Sequence, residues 1–472
     1  MMNRIFQNLT PSLIAAVFAV VIASLFLFSC NTPNKGEKGV PDGSELPLRT
    51  SLSHPEWSKN ATIYEVNIRQ YTPEGTFAAF TPHILRLKEM GVDILWLMPI
   101  HPISKKLRKG SLGSYYSVQD YKAINPEFGS EEDLRVLVKT AHDLGMKVIL
   151  DWVANHTGWD NPWVEAHPEW YRKDESGAIV SPFDWTDVAD LNYDGNPGLH
   201  EAMIDALVYW VKEFDMDGYR CDVAGMVPVE FWDKARKALD AIKPVFMLAE
   251  AEEAALLVDA FDMEYAWELH HLMNLLAKGE IDADTLQAYF DRQSERHPQG
   301  GYKMSFTSNH DENSWNGTVW ERMGDASYAL AALSVTVPGM PLVYTGQEAG
   351  LDKRLEFFEK DEVAWKSHPF ADLYKKLFHL KHENKALWNG DFGGSFTRLA
   401  SSDQGNIYAF VREKEAHKVV ALFNLSDEPG AYEISGSSLP GTYKVFPTEE
   451  TLNLSDREKL TLGAWEYRIY HR

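Results

Sequence analysis

The chain predicts a (β/α)8 barrel followed by an antiparallel β-sandwich, and three observations carry that reading. From Ala61 onward, short apolar runs alternate with amphipathic stretches, as β/α units on a parallel sheet do. Three of the apolar runs stop at a carboxylate: Asp222 in GYRCD, Glu250 in VFMLAE and Asp311 in FTSNHD. Acids at strand ends mark the C-terminal rim of a parallel barrel, where such folds carry their chemistry. From about Leu387 the helical spacing disappears, and NIYAFVRE, KVVALFNLS and AWEYRIY read as strands separated by turns.

The barrel units follow in order. ATIYEVNIR (61–69) is a first strand, and TFAAFTPHILRLKEMG (76–91) a helix with a glycine stop. DILWLMP (93–99) is the second strand. The helix SEEDLRVLVKTAHDLGM opens with Ser130 and three acids in its first turn and leads into the third strand, KVILDWV (147–153). A long excursion, 155–196, interrupted by Pro and Gly and containing Trp159, Trp163, Trp170 and Trp185, then hangs over the strand ends. Helix 197–214, strand DGYRCD (217–222), helix 229–242 and strand VFMLAE (245–250) come next, then a less sharply marked sixth unit at 262–279. Strand KMSFTSN (303–309), helix 326–337 and strand PLVYTG (341–346) complete eight. The predicted catalytic barrel spans 57–386 and the sandwich 387–472.

Composition narrows the partners. With 69 acidic against 46 basic residues the formal charge is −23, which argues against a nucleic-acid backbone or anionic surface as partner and suits a neutral substrate. Fifteen Trp and twenty Tyr offer flat faces for sugar rings, although most aromatic side chains serve the core. The two cysteines form no disulfide framework; Cys221 is expected to pack behind the strand that carries Asp222. Residues 1–30 have the order of an export signal: a polar start with Arg4, the run LIAAVFAVVIASLFLF, then Ser29-Cys30. LFSC resembles a bacterial lipobox, which implies lipid on Cys30 and a membrane-anchored lipoprotein of the bacterial envelope. An uncleaved anchor is the alternative. Residues 31–56, polar and rich in Gly, Pro and Lys, read as a flexible tether.

Cleaving a glycosidic bond with retained configuration takes one carboxylate as nucleophile and a second as acid and then base. Arg220 stands two residues before Asp222, so on a strand the two share a face, and the guanidinium can hold Asp222 ionised. Partial desolvation at a strand end suits Glu250 to proton donation, with Glu252 as its competitor. Asn309 and His310 flank Asp311 as binders of sugar hydroxyls. Taken singly, each piece has a structural alternative: a strand-end Asp is often a helix cap, and an Arg–Asp pair often only an ion pair. Their joint occurrence on strands four, five and seven favours catalysis.

The motifs together resemble the α-amylase family of glycoside hydrolases over roughly 63–350: DWVANH (151–156), GYRCD (218–222), LAE (248–250) and TSNHD (307–311), with ADLN (189–192) and GSYYSVQDY (113–121) beside them. The resemblance implies hydrolysis of α-1,4-linked glucans such as starch, glycogen and maltodextrins. It implies Asp222 as nucleophile, Glu250 as acid/base and Asp311 as transition-state stabiliser. Tyr116, His156, Arg220 and His310 would bind or orient around the cleaved sugar, with Asp151 structural near Arg220. Asn155 and Asp190 match positions that bind a structural calcium in many members; hydrogen bonding of the loop is the alternative for them, and no organic cofactor is implied. Gly225 and Met226 stand where many members carry Lys-His, which leaves open a transglycosylase, an α-glucosidase or a trehalose-handling isomerase. A non-catalytic glucan-binding relative is the third class, disfavoured by retention of all three acids.

Overall fold

The structure is a computed structural model that describes residues 48–472; the export signal, Cys30 and most of the predicted tether lie outside the described residues. Eight parallel strands close into a barrel: β1 (Ile63–Val66), β2 (Ile94–Leu97), β3 (Lys147–Val153), β4 (Gly218–Asp222), β5 (Phe246–Ala249), β6 (Met263–Tyr265), β7 (Tyr302–Ser305) and β8 (Met340–Tyr344). Each pairs with its neighbours in sequence, and β8 returns to β1. Helices between the strands bury their apolar stripes against the outside of the barrel, and a smaller cluster with Ile63, Ile94, Trp96, Ile149, Leu248, Met304 and Leu342 fills its inside. Residue alternation makes this division: on β4, Tyr219 and Cys221 belong to the outer cluster, so Gly218, Arg220 and Asp222 take the inner face. Cys221 is thus buried behind the strand, as the sequence implied. Gly218 has φ +149°, and a Cβ there would meet the Phe246 carbonyl oxygen at 1.8 Å, so only glycine lets β4 and β5 approach at this level.

Some elements depart from their sequence boundaries for local reasons. The first strand ends at Val66 because the Asn67 side chain accepts from the amide of Gln70 and starts a short helix, Ile68–Tyr71. The predicted helix 76–91 breaks into Phe77–Phe80, a 3₁₀ turn containing Pro82, and Ile84–Met90, and stops as expected at a left-handed Gly91. The sixth unit is a three-residue strand followed by helix Trp267–Ala277, with a further helix, Ala283–Arg296, that the spacing did not single out. Residues 48–56, read by composition as tether, lie against the barrel: Thr50 and Ser51 donate backbone bonds to Gln299 and Val258, and His54 Nδ1 meets Asp262 at 2.7 Å.

Beyond helix Pro369–Glu383 come two antiparallel sheets, one of six strands and one of three. Leu399, Ile407, Val420, Leu422, Ile434, Leu462 and Tyr470 pack from both sheets into one core, which makes this part a sandwich. Among the described residues no helix is long and apolar enough to cross a membrane.

Candidate active site

The C-terminal ends of β3, β4 and β5 gather Asp151, Asp222 and Glu250, and Arg220 is their hub. Its side chain has no solvent exposure. Nη1 donates to Asp151 Oδ1 at 2.9 Å and to Asp222 Oδ1 at 3.0 Å, and Nε donates to the Tyr265 hydroxyl at 3.1 Å. Nη2 lies 2.9 Å from Glu250 Oε1, off the line of a good hydrogen bond. Asp151 is adjacent because the β3–β4 register sets it opposite Arg220. One buried cation is therefore shared by three carboxylates. Burial, then the neighbouring Glu250, raise the proton affinity of Asp222 well above the usual aspartate range, while Arg220 opposes them. The sequence assigned the desolvated acid to Glu250; in the fold it is Asp222 whose proton affinity burial raises.

Glu250 follows β5 directly, and its Oε2 accepts the Val223 amide at 2.7 Å. That amide points correctly because Val223, a β-branched residue, takes φ +38°, a left-handed conformation it adopts only under constraint. Glu252 turns away from the site: Lys303 holds it at 3.0 Å, and it accepts the Glu268 amide at 2.9 Å. It is thereby removed as a competitor.

Asp311 does not sit at a strand end. β7 stops at Ser305, and Asp311 lies six residues on, directly before a π-helical turn, Glu312–Asn316. Its neighbour His310 is buried in a chain of partners. Nδ1 meets Glu65 Oε1 at 2.5 Å, and Nε2 lies 2.8 Å from the Tyr116 hydroxyl and 3.2 Å from Asp311 Oδ2. The Tyr116 hydroxyl in turn donates to Asp151 Oδ2 at 3.0 Å. Burial disfavours the imidazolium, but Asp311 and Glu65 outweigh it and push His310 up to about 9. His310 is thus a cation at neutral pH with both ring N–H groups donating. The Asp311 side chain is 34% exposed, the group of the network most open to a ligand.

This arrangement agrees with the comparisons. The α-amylase catalytic-domain family model matches residues 52–178 and 167–371. The chain belongs to the α-amylase family. It is a glycosidase. Among solved structures it resembles a noncanonic maltogenic α-amylase, AmyB, from Thermotoga neapolitana (TM-score 0.81, 30% identity, 88% of this chain and 99% of that one). An α-amylase from Lactobacillus plantarum is similarly close (TM-score 0.79, 31% identity, again 88% and 99%). Curated relatives include the α-amylase MalA of Haloarcula japonica, 26% identical over 84% of this chain, of whose length the match spans 59%. A cyclomaltodextrinase of Thermoanaerobacter pseudethanolicus is 27% identical over 79% of this chain and 71% of its own length.

The remaining family positions divide. His156 is buried, packs its ring 5.6 Å from Trp185, and is pushed down to about 3 by burial, against a hydrogen bond to the Tyr116 backbone. It is a neutral imidazole. Asn155 and Asp190 form the base of the excursion, where His156–Gly158 pairs with Val188–Asp190. Calcium takes about six to eight oxygen ligands. Here Arg172 Nε already lies 3.2 Å from Asp190 Oδ2, and Asn155 Nδ2 faces His156 Nδ1 at 3.3 Å. Burial, against Arg172, pushes Asp190 up to about 6. Among the described residues no cluster of three or more His, Cys, Asp or Glu is fit to hold a metal. Arg172 thus partly neutralises Asp190 at the base of the loop.

Four members of the network escaped sequence reasoning. Glu65, Trp96 and Tyr265 are inner-face residues of β1, β2 and β6; Trp96 Nε1 donates to Asp151 Oδ2 at 3.0 Å. Glu65 had a legible signal, an acid inside the apolar run IYEV. The Val223 amide had none, since a backbone donor leaves no trace in residue identity.

Proposed function

We propose that this α-amylase-family enzyme is a retaining hydrolase of α-1,4-linked glucans, working by double displacement through a covalent glycosyl-enzyme intermediate. The sharing of Arg220 between Asp222 and Glu250 carries the reading. Asp222, oriented by Nη1, attacks the anomeric carbon, while Glu250, steadied through Oε2 by the Val223 amide, protonates the leaving oxygen. This step needs the proton on Glu250 and the charge on Asp222, which Arg220 favours against burial. Once Asp222 is esterified its charge is gone. Glu250 then faces Arg220 without that competitor, a setting in which it can accept a proton from water. Asp311 and the His310 imidazolium bind hydroxyls of the distorted ring, Tyr116 stacks on it, and neutral His156 supplies a further hydroxyl contact.

A second reading, with a sugar in place of water as acceptor, is favoured by Met226, whose apolar side chain is 39% exposed just beyond the nucleophile. Product analysis with starch, maltotriose, pullulan and trehalose separates them. Short maltooligosaccharides support hydrolysis; longer products or isomerised disaccharides support transfer, and no turnover of any of them overturns both. We also infer export and attachment to the bacterial envelope through lipid on Cys30, supported by LFSC after the apolar run. Cys30→Ser should release activity into the soluble fraction, and unchanged membrane retention would refute the lipid.

A further inference from the structure

A cavity of about 680 Å³ opens at the floor of the barrel, the end opposite the catalytic groups. Strand starts frame one side of it: Lys147 opens β3, Asp217 directly precedes β4, and Pro244 comes just before β5. The segment from Ser53 to Trp57, which crosses the floor ahead of β1, supplies the other wall. β3 runs from Lys147 to Val153, so at about 3.3 Å per residue the cavity stands roughly 20 Å from the acids at the rim. Its volume falls within the range of about 300–1,000 Å³ usual for small-molecule sites, and no step of the catalytic reading uses it.

The charges that line this cavity are already paired. Lys147 and Lys243 each lie 3.3 Å from Asp217 Oδ1, and Lys243 also meets Asp215 Oδ1 at 2.5 Å. His142 stands between the two acids, with Nε2 2.6 Å from Asp217 and Nδ1 3.4 Å from Asp215. His54 is engaged by Asp262 at 2.7 Å and by the Gly300 carbonyl at 2.9 Å, and Glu56 pairs with Lys59. A charged ligand would have to displace a member of one of these pairs, so the cavity suits a neutral one.

A purely apolar ligand fits no better. The Ser53 hydroxyl and Trp57 Nε1 have no hydrogen-bond partner among the described residues, and the Lys147 side chain, 30% exposed, keeps donors beyond the one turned to Asp217. Covering these groups with hydrocarbon would leave them desolvated and unpaired. Apolar surface lies directly beside them, from Pro55, Pro244 and the half-buried Trp57. The indole is held in place against Phe246, ring centroids 5.7 Å apart, with the Lys147 ammonium 5.6 Å from its centre. A pyranose ring, with hydroxyls around its edge and C–H groups on its faces, meets both demands at once.

We propose that the floor cavity is a second carbohydrate site, which holds a segment of glucan chain through Trp57, Ser53 and Lys147 without cleaving it. The proposal rests on the glucan reading above and deepens it. Because the reacting acids are a strand's length away, a segment bound here adds a second point of attachment for long chains, and substrates too short to reach both ends gain nothing from it.

Calorimetric titration of the full-length Asp222→Asn protein with maltoheptaose should show two binding events, one of which Trp57→Ala removes. Trp57 packs on the barrel, so Ser53→Trp, which fills the cavity from an exposed position, serves as the second variant and should remove the same event. With Asp222 restored, both variants should raise KM for soluble starch by about 3- to 10-fold, the range of one aromatic contact, and leave kcat/KM for para-nitrophenyl α-maltoside unchanged. Two events retained in both variants, or equal losses on starch and maltoside, overturn the site. Turnover of starch with a single binding event in the parent overturns the floor site alone. A wild-type enzyme that turns over no glucan overturns the glucan reading, and the ligand assigned here with it.

Discussion

The two ends of the barrel treat buried acids in opposite ways. At the floor, Asp93, Asp217 and Asp262 each stand one residue before an even-numbered strand, and each accepts a backbone amide near the start of the odd strand before it, from Thr62, Val148 and Met247 respectively. Each also meets a histidine: His382 at 2.6 Å, His142 at 2.6 Å and His54 at 2.7 Å. Cations complete the shells, Lys88 for Asp93, Lys147 and Lys243 for Asp217, and Arg236 for Asp262. Burial opposes ionisation of Asp217 and Asp262, yet these donors overcome it and hold both below the usual aspartate range. At the rim the ratio is inverted. Three carboxylates divide one guanidinium, and Asp222 is raised. Over-supplied acids lock strands together; under-supplied ones are ready to exchange a proton or attack a carbon.

The largest effect expected from this contrast falls on the rim. Asp222→Asn and Glu250→Gln should each lower kcat by about 10³-fold or more while leaving the melting temperature unchanged or higher, because each removes a charge from a crowded set. Substantial residual turnover in either purified variant would break the assignment. At the floor the outcome should reverse. Asp262→Ala leaves Arg236, which is almost fully buried, short of its carboxylate, and should cost about 3–5 kcal/mol in denaturant unfolding with kcat intact wherever the protein stays folded. Loss of activity without loss of stability would refute the division.

The pH dependences should separate in the same way. Asp217 and Asp262 have depressed folded values, so their stabilisation is present above the unfolded aspartate value of about 4 and is lost as pH falls through the folded ones. Acid unfolding should therefore steepen below that point, and Asp217→Asn should flatten the curve. His310 is raised, so its contribution is full below the unfolded histidine value of about 6.5 and is lost as pH rises through about 9. A fall in kcat/KM near pH 9 that disappears in His310→Gln is the smallest and sharpest of these effects. A profile flat to pH 10 in the wild type would mean that the imidazolium has no part in turnover.

Much of the rim was legible because strand alternation is a local rule. Arg220 and Asp222 share a face at a spacing of two, and the register then brings in Asp151. Asp311 was found by its motif, though the strand that was to carry it stops at Ser305, because the chain leaves the sheet before reaching the site. The choice of Glu250 over Glu252 was open in sequence, since both belong to one alternating face; Lys303 and the Glu268 amide decide it from distant parts of the chain. Arg172 engages Asp190 from across the excursion, a contact that local spacing could not show.

The sequence by itself determined the strand and helix order, the inner and outer faces of each strand and the candidate acids at or near the strand ends, all of which follow from periodicity and motif within a few residues. Only the tertiary structure decided how many cations each buried acid receives. That ratio depends on side chains brought together across the barrel from unrelated positions, and it gives Asp217 and Asp262 several donors each while Asp222 and Glu250 share Arg220.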